Sequence, residues 1–190
     1  RPFVWKPKQV RDLIDSLYNG YPTGYLIISQ NPNLKLKDGT LSEGKKIMID
    51  GQQRVSALLT AILGMEVIDA DFEKKRIKIS FNPLAVNDEE VFKVQDNAVL
   101  KDKKWIADIA EVFKSDFKKG SFVNRYCEHN PEIDHDKLHD ILDELIGIKN
   151  RQIGIITLDK ELTIDEVTEI FIRINSQGTK LNQADFAMSK

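Results

Sequence analysis

The segment from residue 45 to residue 64 constrains the fold most, because its apolar pattern changes period halfway along. Ile47, Met48 and Ile49 form a short apolar run, which is typical of a buried strand. From Val55 onward the apolar residues recur at i, i+3, i+4, i+7 and i+8, which predicts one face of an amphipathic helix. That face comprises Val55, Leu58, Leu59, Ile62 and Leu63. Gly64 follows at the position of a helix C′ glycine.

Five consecutive polar or glycine residues, Asp50, Gly51, Gln52, Gln53 and Arg54, join this strand to this helix. A strand that enters a helix through a glycine leaves backbone N–H groups and the positive end of the helix dipole at the turn, where phosphates bind well. Arg54 adds a cationic fork, and Asp50 offers a carboxylate for a metal ion or a proton. The alternative is a plain capping turn, with Asp50 as the cap and Arg54 in solvent. A cap needs only one or two such residues, so the length of the string favours a binding site.

Length and composition place limits on the rest. A chain of 190 residues with 41% hydrophobic and 31% charged residues predicts one soluble domain or a tight pair of subdomains. No apolar run approaches the ~20 residues of a membrane span. The single cysteine, Cys127, excludes an internal disulfide and fits a reducing cytoplasm. A net charge of −2 argues against electrostatic binding of DNA by the protein surface as a whole. The missing initiator Met and an ending inside a predicted helix indicate a fragment of a longer chain.

The remaining pattern predicts alternating helices and strands, and hence a mixed α/β fold. Predicted strands cover residues 24–29 (a central strand), 76–81 (half exposed), 90–94 and 152–158. Predicted helices carry the Val10–Tyr18 stripe, Trp105 to Phe113 behind an Asp102 cap, residues 121–128 and residues 134–149. Thr163 and Glu166 form a capping box ahead of a helix that buries Val167, Ile170, Phe171 and Ile174.

A zinc site and a nuclease site have weaker support in the sequence. Cys127, His129, His135 and His139 could suggest zinc, but the histidines only flank a leucine stripe, so an ordinary surface is favoured. A nuclease triplet could be drawn from Asp69, Glu73 and Lys75, or from Asp38, Glu43 and Lys45. Such triplets are expected by chance in a chain with 28 basic and 30 acidic residues.

A second polar concentration, residues 173–180, ends the last complete predicted helix. Glu169 and Arg173 are i, i+4 partners, so an ordinary surface ion pair would explain Arg173. Gly178 would be explained as a C-cap. A binding role for Arg173 and Asn175 stays open beside that structural interpretation.

The chain resembles the N-terminal domain of GmrSD-type restriction endonucleases, which has a ParB/sulfiredoxin-like core. Three stretches carry the resemblance: RPFVWKPKQVRDLIDSLYNGYPTGYLII at the start, IDGQQRVSALL at residues 49–59 and FIRINSQGTKLNQAD at residues 171–185. The family signature, Asp-Gly-Gln-Gln-Arg, is intact at residues 50–54. The resemblance implies a single ParB-like nucleotide-binding domain over residues 1–190, with a small mixed sheet, flanking helices and a helical extension.

The same resemblance implies that the domain binds and hydrolyses a nucleoside triphosphate with Mg²⁺ and so regulates an HNH nuclease domain that cuts modified phage DNA. The nuclease domain is not within these residues, so DNA would be contacted through a further C-terminal region. In this interpretation Gly51, Gln53 and Arg54 bind phosphate, and Arg1, Arg173 and Asn175 contribute to the same pocket. Asp50 holds Mg²⁺ or orients water, and Gln52 or Gln53 positions the attacking water.

Three functions stay open from the sequence. The first is this cytoplasmic nucleotide-binding regulatory domain of an anti-phage restriction system, and self-association into a homo-oligomer is compatible with it. The second is a non-enzymatic DNA-binding or sensing module, in which the same turn holds a backbone phosphate. The third is a protein-interaction scaffold with a relic pocket.

Overall fold

The computed structural model describes residues 2–30, 45–86 and 90–175, without the side chain of residue 175. Arg1, Asp38, Glu43, Gly178 and the helix expected near residue 182 therefore lie outside the described residues. The described helices and strands, in chain order, are α1 Pro7–Tyr18, β1 Tyr25–Ser29, β2 Ile47–Asp50, α2 Gln52–Ala61, β3 Val67–Ile68, β4 Lys74–Lys75, β5 Ile79–Phe81, β6 Phe92–Val94, α3 Asn97–Lys101, α4 Lys119–His129, α5 His135–Ile146, β7 Gly154–Leu158 and α6 Ile164–Asn175. Short 3-10 helices span Ile109–Glu111 and Gly147–Asn150. The mixed α/β class is confirmed.

The described residues form two compact units, and the boundary falls inside the polar string, between Gln52 and Gln53. The first unit contains residues 2–23 and 53–152, and the second contains residues 24–52 and 153–175, apart from the gaps given above. None of the described helices is both long enough and apolar enough to cross a membrane.

The core of the first unit is built around α1 and α5. Pro7 opens α1, and the Gln9 side chain caps its N-terminus by accepting from the Lys6 N–H at 2.9 Å. The buried face of α1 comprises Val10, Leu13, Ile14 and Leu17, as its stripe predicts. Asp134 caps α5 through a 2.7 Å bond from the Lys137 N–H, and Leu138, Leu142 and Leu145 of this helix are buried. The sequence identified both helices because each has a clear apolar face and an N-terminal signal.

The second unit contains a mixed three-stranded sheet in the order β2-β1-β7. Strand β1 pairs antiparallel with β2 and parallel with β7, so β1 is the central strand of this sheet, as predicted. The predicted capping box of α6 is also confirmed. The Thr163 N–H donates to Glu166 Oε2 at 2.8 Å, and the Glu166 N–H donates to Thr163 Oγ1 at 3.3 Å. Val167 and Phe171 are buried, but Ile174 is 46% exposed, so the prediction of a buried Ile174 is wrong.

Two local predictions in the first unit are also wrong. No α-helix runs from Trp105 to Phe113; turns and a 3-10 helix take its place, and Asp108 rather than Asp102 caps that helix by accepting from the Ala110 N–H at 3.1 Å. The half-exposed strand predicted over residues 76–81 is shorter, at Ile79–Phe81, and its Ser80 is fully buried along with its two apolar neighbours instead of facing solvent. The Ser80 hydroxyl donates to the Ala107 carbonyl at 2.6 Å, and this bond allows a polar side chain in the core.

Helix α2 buries a different face from the one that its leucines predict. Ala57, Thr60 and Ala61 are fully buried, whereas Leu58 and Ile62 are half-buried at the edge of the core and Leu63 is 64% exposed. Small side chains at i, i+3 and i+4 let the helix backbone lie close to its neighbours. Thr60 uses that proximity, since its Oγ1 accepts from the Ile77 N–H at 2.8 Å. The predicted face is therefore rotated from the real one by about one residue.

Candidate nucleotide-binding turn

The polar string forms the end of a strand, a glycine turn and the start of a helix, as its residues predict. Asp50 is the last residue of β2 and lies opposite Ile27 of β1. Gly51 is buried and has a φ of 98°, in the region that side chains with a Cβ rarely adopt. Helix α2 begins at the next residue, Gln52. The first N–H groups of such a helix have no partner inside the helix, so the turn provides donors of the kind that anions bind.

In the second unit, the Gln52 side chain is held by the strand before it. Its Nε2 donates to the Met48 carbonyl at 2.8 Å. Its Oε1 is buried and has no hydrogen-bond donor among the described residues. The Met48 contact fixes the orientation of the amide, because the opposite orientation would place two carbonyl oxygens against each other. Gln52 therefore presents an acceptor that the fold itself does not satisfy.

In the first unit, the Gln53 side chain binds the extended segment at residues 2–5, which we call the lead-in. Its Oε1 accepts from the N–H groups of Val4 and Trp5, at 2.8 and 3.3 Å, and its Nε2 donates to the Pro2 carbonyl at 2.9 Å. Phe3 lies between these contacts, 3% exposed, with its N–H donating to the Ile68 carbonyl at 2.7 Å. The Gln53 amide thus pairs with the backbone of the lead-in: it donates to one carbonyl and accepts from two N–H groups, as a peptide group of an adjacent strand would.

Arg54 is also anchored within the first unit. Its Nη1 donates to the carbonyl of Thr23 at 2.9 Å, and the residue is half-buried. A guanidinium carries five N–H donors in a planar fork, and the bond to the Thr23 carbonyl orients that fork.

The other predicted site residues lie in α6 or outside the described residues. Arg173 forms an ion pair with Glu169 one helical turn away, as its spacing predicts, and is exposed. Asn175 is the last residue of α6. Arg1 lies outside the described residues, although it is bonded to Pro2, whose carbonyl Gln53 holds.

Two cavities of the first unit are lined by residues outside the string. One, of about 480 Å³, is lined by Asn124, Cys127, Glu128, Pro131, Ile133, Asp134 and His135. Burial raises the pKa of the Cys127 thiol. The described residues contain no group of three or more His, Cys, Asp or Glu side chains placed to hold a metal ion. His129 instead meets the Arg125 carbonyl through Nδ1 at 2.8 Å. The other cavity, of about 350 Å³, adjoins Arg151.

The acidic residues near the β3–β4 turn also have a structural role. Asp69 Oδ1 accepts from the N–H groups of Asp71 and Glu73, each at 3.0 Å, and this closes the turn. Lys75 Nζ lies 3.9 Å from Asp69 Oδ2. A carboxylate that accepts two backbone bonds in a turn needs no catalytic explanation.

The sequence could not identify the groups that hold the string. They are the backbone carbonyls of Pro2, Thr23 and Met48 and the backbone N–H groups of Val4 and Trp5, and these groups do not depend on the side chain. The contacts of Gln53 span 48 to 51 residues of chain. Pro2 is the sequence feature that bears on this stretch, because a proline disfavours a helical conformation in the residue before it and favours an extended one.

The fold and the turn together define a mixed α/β domain with an Asp-Gly-Gln-Gln-Arg strand-to-helix turn. The family model described as GmrSD restriction endonuclease, N-terminal domain, matches residues 1–190. The chain belongs to this family. A comparison with curated proteins found no match.

Proposed function

We propose that this chain is the nucleotide-binding and nucleotide-hydrolysing regulatory domain of a modification-dependent restriction endonuclease that acts in phage defence. The intact string at residues 50–54, placed at the N-terminus of α2, carries this proposal. The turn offers backbone N–H groups to a phosphate, and Arg54 adds a guanidinium whose orientation is set by Thr23. Membership of the GmrSD N-terminal family supports a role in a restriction system.

The proposal includes Mg²⁺, held by one carboxylate of the protein together with the nucleotide phosphates. In nucleotide sites Mg²⁺ is commonly held by one or two carboxylates together with the phosphates and water, not by a cage of protein ligands. Asp50, at the end of β2, would be that carboxylate. When bound, the ion would neutralise charge on the phosphates, while Arg54 and the turn would hold them in place.

Nucleotide protection against thermal unfolding is the direct test. The melting temperature of the protein would be measured with each of the four NTPs, with and without Mg²⁺, and beside duplex DNA alone. A ligand at 100 times its dissociation constant stabilises the native state by about 2.7 kcal/mol. We expect protection by at least one NTP, increased by Mg²⁺, and release of inorganic phosphate from that NTP. No protection by any NTP would contradict the proposal.

A non-enzymatic DNA-binding or sensing module is the second candidate, since the same turn could hold a phosphate of DNA. The net charge of −2 counts against it. The two functions differ in their salt dependence, because binding to duplex DNA weakens steeply with salt. Tight, sequence- or modification-specific binding of DNA at physiological salt, without protection by nucleotides, would favour the sensing module.

A further inference from the structure

We propose that the two glutamines of the string have different tasks: Gln52 accepts a hydrogen bond from the water that attacks the nucleotide, and Gln53 positions the lead-in. The inference rests on the proposed function, and it divides a role that the residue types alone leave open between the two side chains. The difference lies in what each amide already binds within its own unit of the fold.

Gln53 is committed to the protein backbone. Both lone-pair directions of its Oε1 are taken by the Val4 and Trp5 N–H groups, and its Nε2 donates to Pro2. Turning this amide toward a ligand would leave the Pro2 carbonyl and the partly buried Trp5 N–H without that partner. Gln53 is therefore a positioning residue. It fixes the lead-in against the first turn of α2.

Gln52 has the opposite arrangement. Its amino group is used by Met48, and its carbonyl oxygen is buried with no donor among the described residues. A buried acceptor without a donor destabilises the fold, so its presence in the middle of the string needs a reason. The missing partner must carry an N–H or O–H group. An ionised phosphate oxygen carries neither, so Gln52 does not bind phosphate through Oε1.

A site that hydrolyses a nucleotide must also hold a water molecule, and that water can supply the O–H donor that Gln52 Oε1 lacks. In the reaction the water oxygen forms a bond to the γ-phosphorus as the bond from that phosphorus to the β,γ-bridging oxygen breaks. The bridging electron pair leaves on the nucleoside diphosphate, and a proton of the water passes to the released phosphate or to solvent. Gln52 takes no proton. It accepts one hydrogen bond and so sets the direction of the attacking lone pair.

The test compares three glutamine-to-methionine variants, which keep side-chain length and remove the amide. Gln52→Met should lower kcat about a hundredfold, the scale of a ~1 Å misplacement of a reactant, while nucleotide protection is kept. Its melting temperature should fall by only about 2–4 °C, because it loses the single bond to the Met48 carbonyl. Gln53→Met should lower the melting temperature by about 2–4 °C for each hydrogen bond lost. Gln95→Met is the matched control. Its Nε2 donates to the Ala107 carbonyl at 2.8 Å, as that of Gln52 does to Met48, and we expect wild-type kcat.

The possible outcomes distinguish a failure of this inference from a failure of the proposed function. A wild-type protein that neither binds nor hydrolyses any NTP overturns both. A wild-type protein that hydrolyses NTP, with kcat unchanged in Gln52→Met, overturns the inference alone. So does a Gln53→Met variant that loses kcat with its melting temperature intact. A Gln52→Met variant that loses affinity, together with any preference for NTP over dNTP, would mean that Oε1 contacts the ribose, and would overturn the water assignment.

Discussion

Arg54 donates its Nη1–H to the carbonyl oxygen of Thr23 at 2.9 Å, and so the guanidinium is fixed before any ligand arrives. A flexible arginine would lose side-chain freedom on binding a phosphate, at a cost of up to about 2 kcal/mol. Thr23 has already restrained Arg54 in the folded chain. The contact also ties the start of α2 to the segment that follows α1 within the first unit.

Replacing Arg54 by alanine should weaken nucleotide binding about ten- to a hundredfold, because a charge-assisted hydrogen bond contributes ~1.5–3 kcal/mol. The Thr23 contact adds a structural effect that the sequence did not predict, and we expect the free energy of unfolding to fall by about 1 kcal/mol. Arg54→Lys is the control: it keeps the charge but loses the fork. Isothermal titration and urea unfolding measure the two effects. An unchanged dissociation constant in a folded Arg54→Ala protein would rule out the phosphate site.

Thr60 is a polar core residue whose role can be isolated. It is fully buried and its Oγ1 accepts from the Ile77 N–H at 2.8 Å. Thr60→Val keeps the shape and leaves that N–H without its partner, so we expect a loss of about 1–3 kcal/mol. Thr60→Ser keeps the hydroxyl and removes one methyl group, which should cost about 0.8 kcal/mol. Urea unfolding would show whether Thr60→Val is the more damaging change; equal losses would mean that the bond contributes little.

The sequence predicts elements better than it predicts faces. Helices α1, α5 and α6 were found because caps and apolar spacing agree. In α2 the leucines indicate one face, but close approach of the backbone favours the small residues Ala57 and Ala61 on the next. Periodicity weighs side chains by hydrophobicity and contains no information about how near the neighbouring element lies. The same limit explains Ser80, whose burial depends on the Ala107 carbonyl.

The candidate site was predictable in its position but not in its contacts. Strand, glycine and helix follow from residues 47–64 alone, and the φ of 98° at Gly51 is the conformation for which glycine is suited. The different roles of Gln52 and Gln53 depend on partners at Met48 and Pro2. One partner is local and the other is 51 residues away. No residue pattern distinguishes two adjacent glutamines.

Gly64 ends the α2 region with a φ of 66°, as its place after the apolar stripe predicts. A Cβ there would stand 2.9 Å from Arg76 Nη2, the atom that pairs with Asp108 Oδ2 at 2.6 Å. Gly64→Ala should therefore cost about 1–2 kcal/mol from the left-handed backbone, and more if the guanidinium must move. Gly120→Ala in α4 is the control, since its Cβ meets nothing within 4 Å. Thermal unfolding should show a loss only for Gly64→Ala.

Cys127 should react slowly with thiol reagents. It is 8% exposed, and burial raises the pKa of its thiol. A raised pKa means less thiolate at any given pH, so the labelling rate at pH 7 should be well below that of a free cysteine. It should rise only at a higher pH than for the free thiol. Labelling with a chromogenic disulfide, with and without urea, measures this. Rapid stoichiometric labelling of the folded protein at pH 7 would contradict the burial of the thiol.

Substitutions of Asp50 can distinguish an active site from a turn that has only a structural role. It ends β2, two residues before the first residue of α2, and Gly51 stands between them. If Asp50 holds Mg²⁺ or orients water, Asp50→Ala should lower kcat far more than it weakens nucleotide binding. If the carboxylate only caps the turn, the same change should cost about 0.5–2 kcal/mol of stability and leave kcat per folded molecule intact. Asp50→Asn keeps the shape and much of the capping ability, and removes the charge that a metal ion needs. We expect Asp50→Asn to unfold like the wild type and to hydrolyse NTP as poorly as Asp50→Ala. A fully active Asp50→Asn protein would mean that the carboxylate serves the backbone and not the reaction.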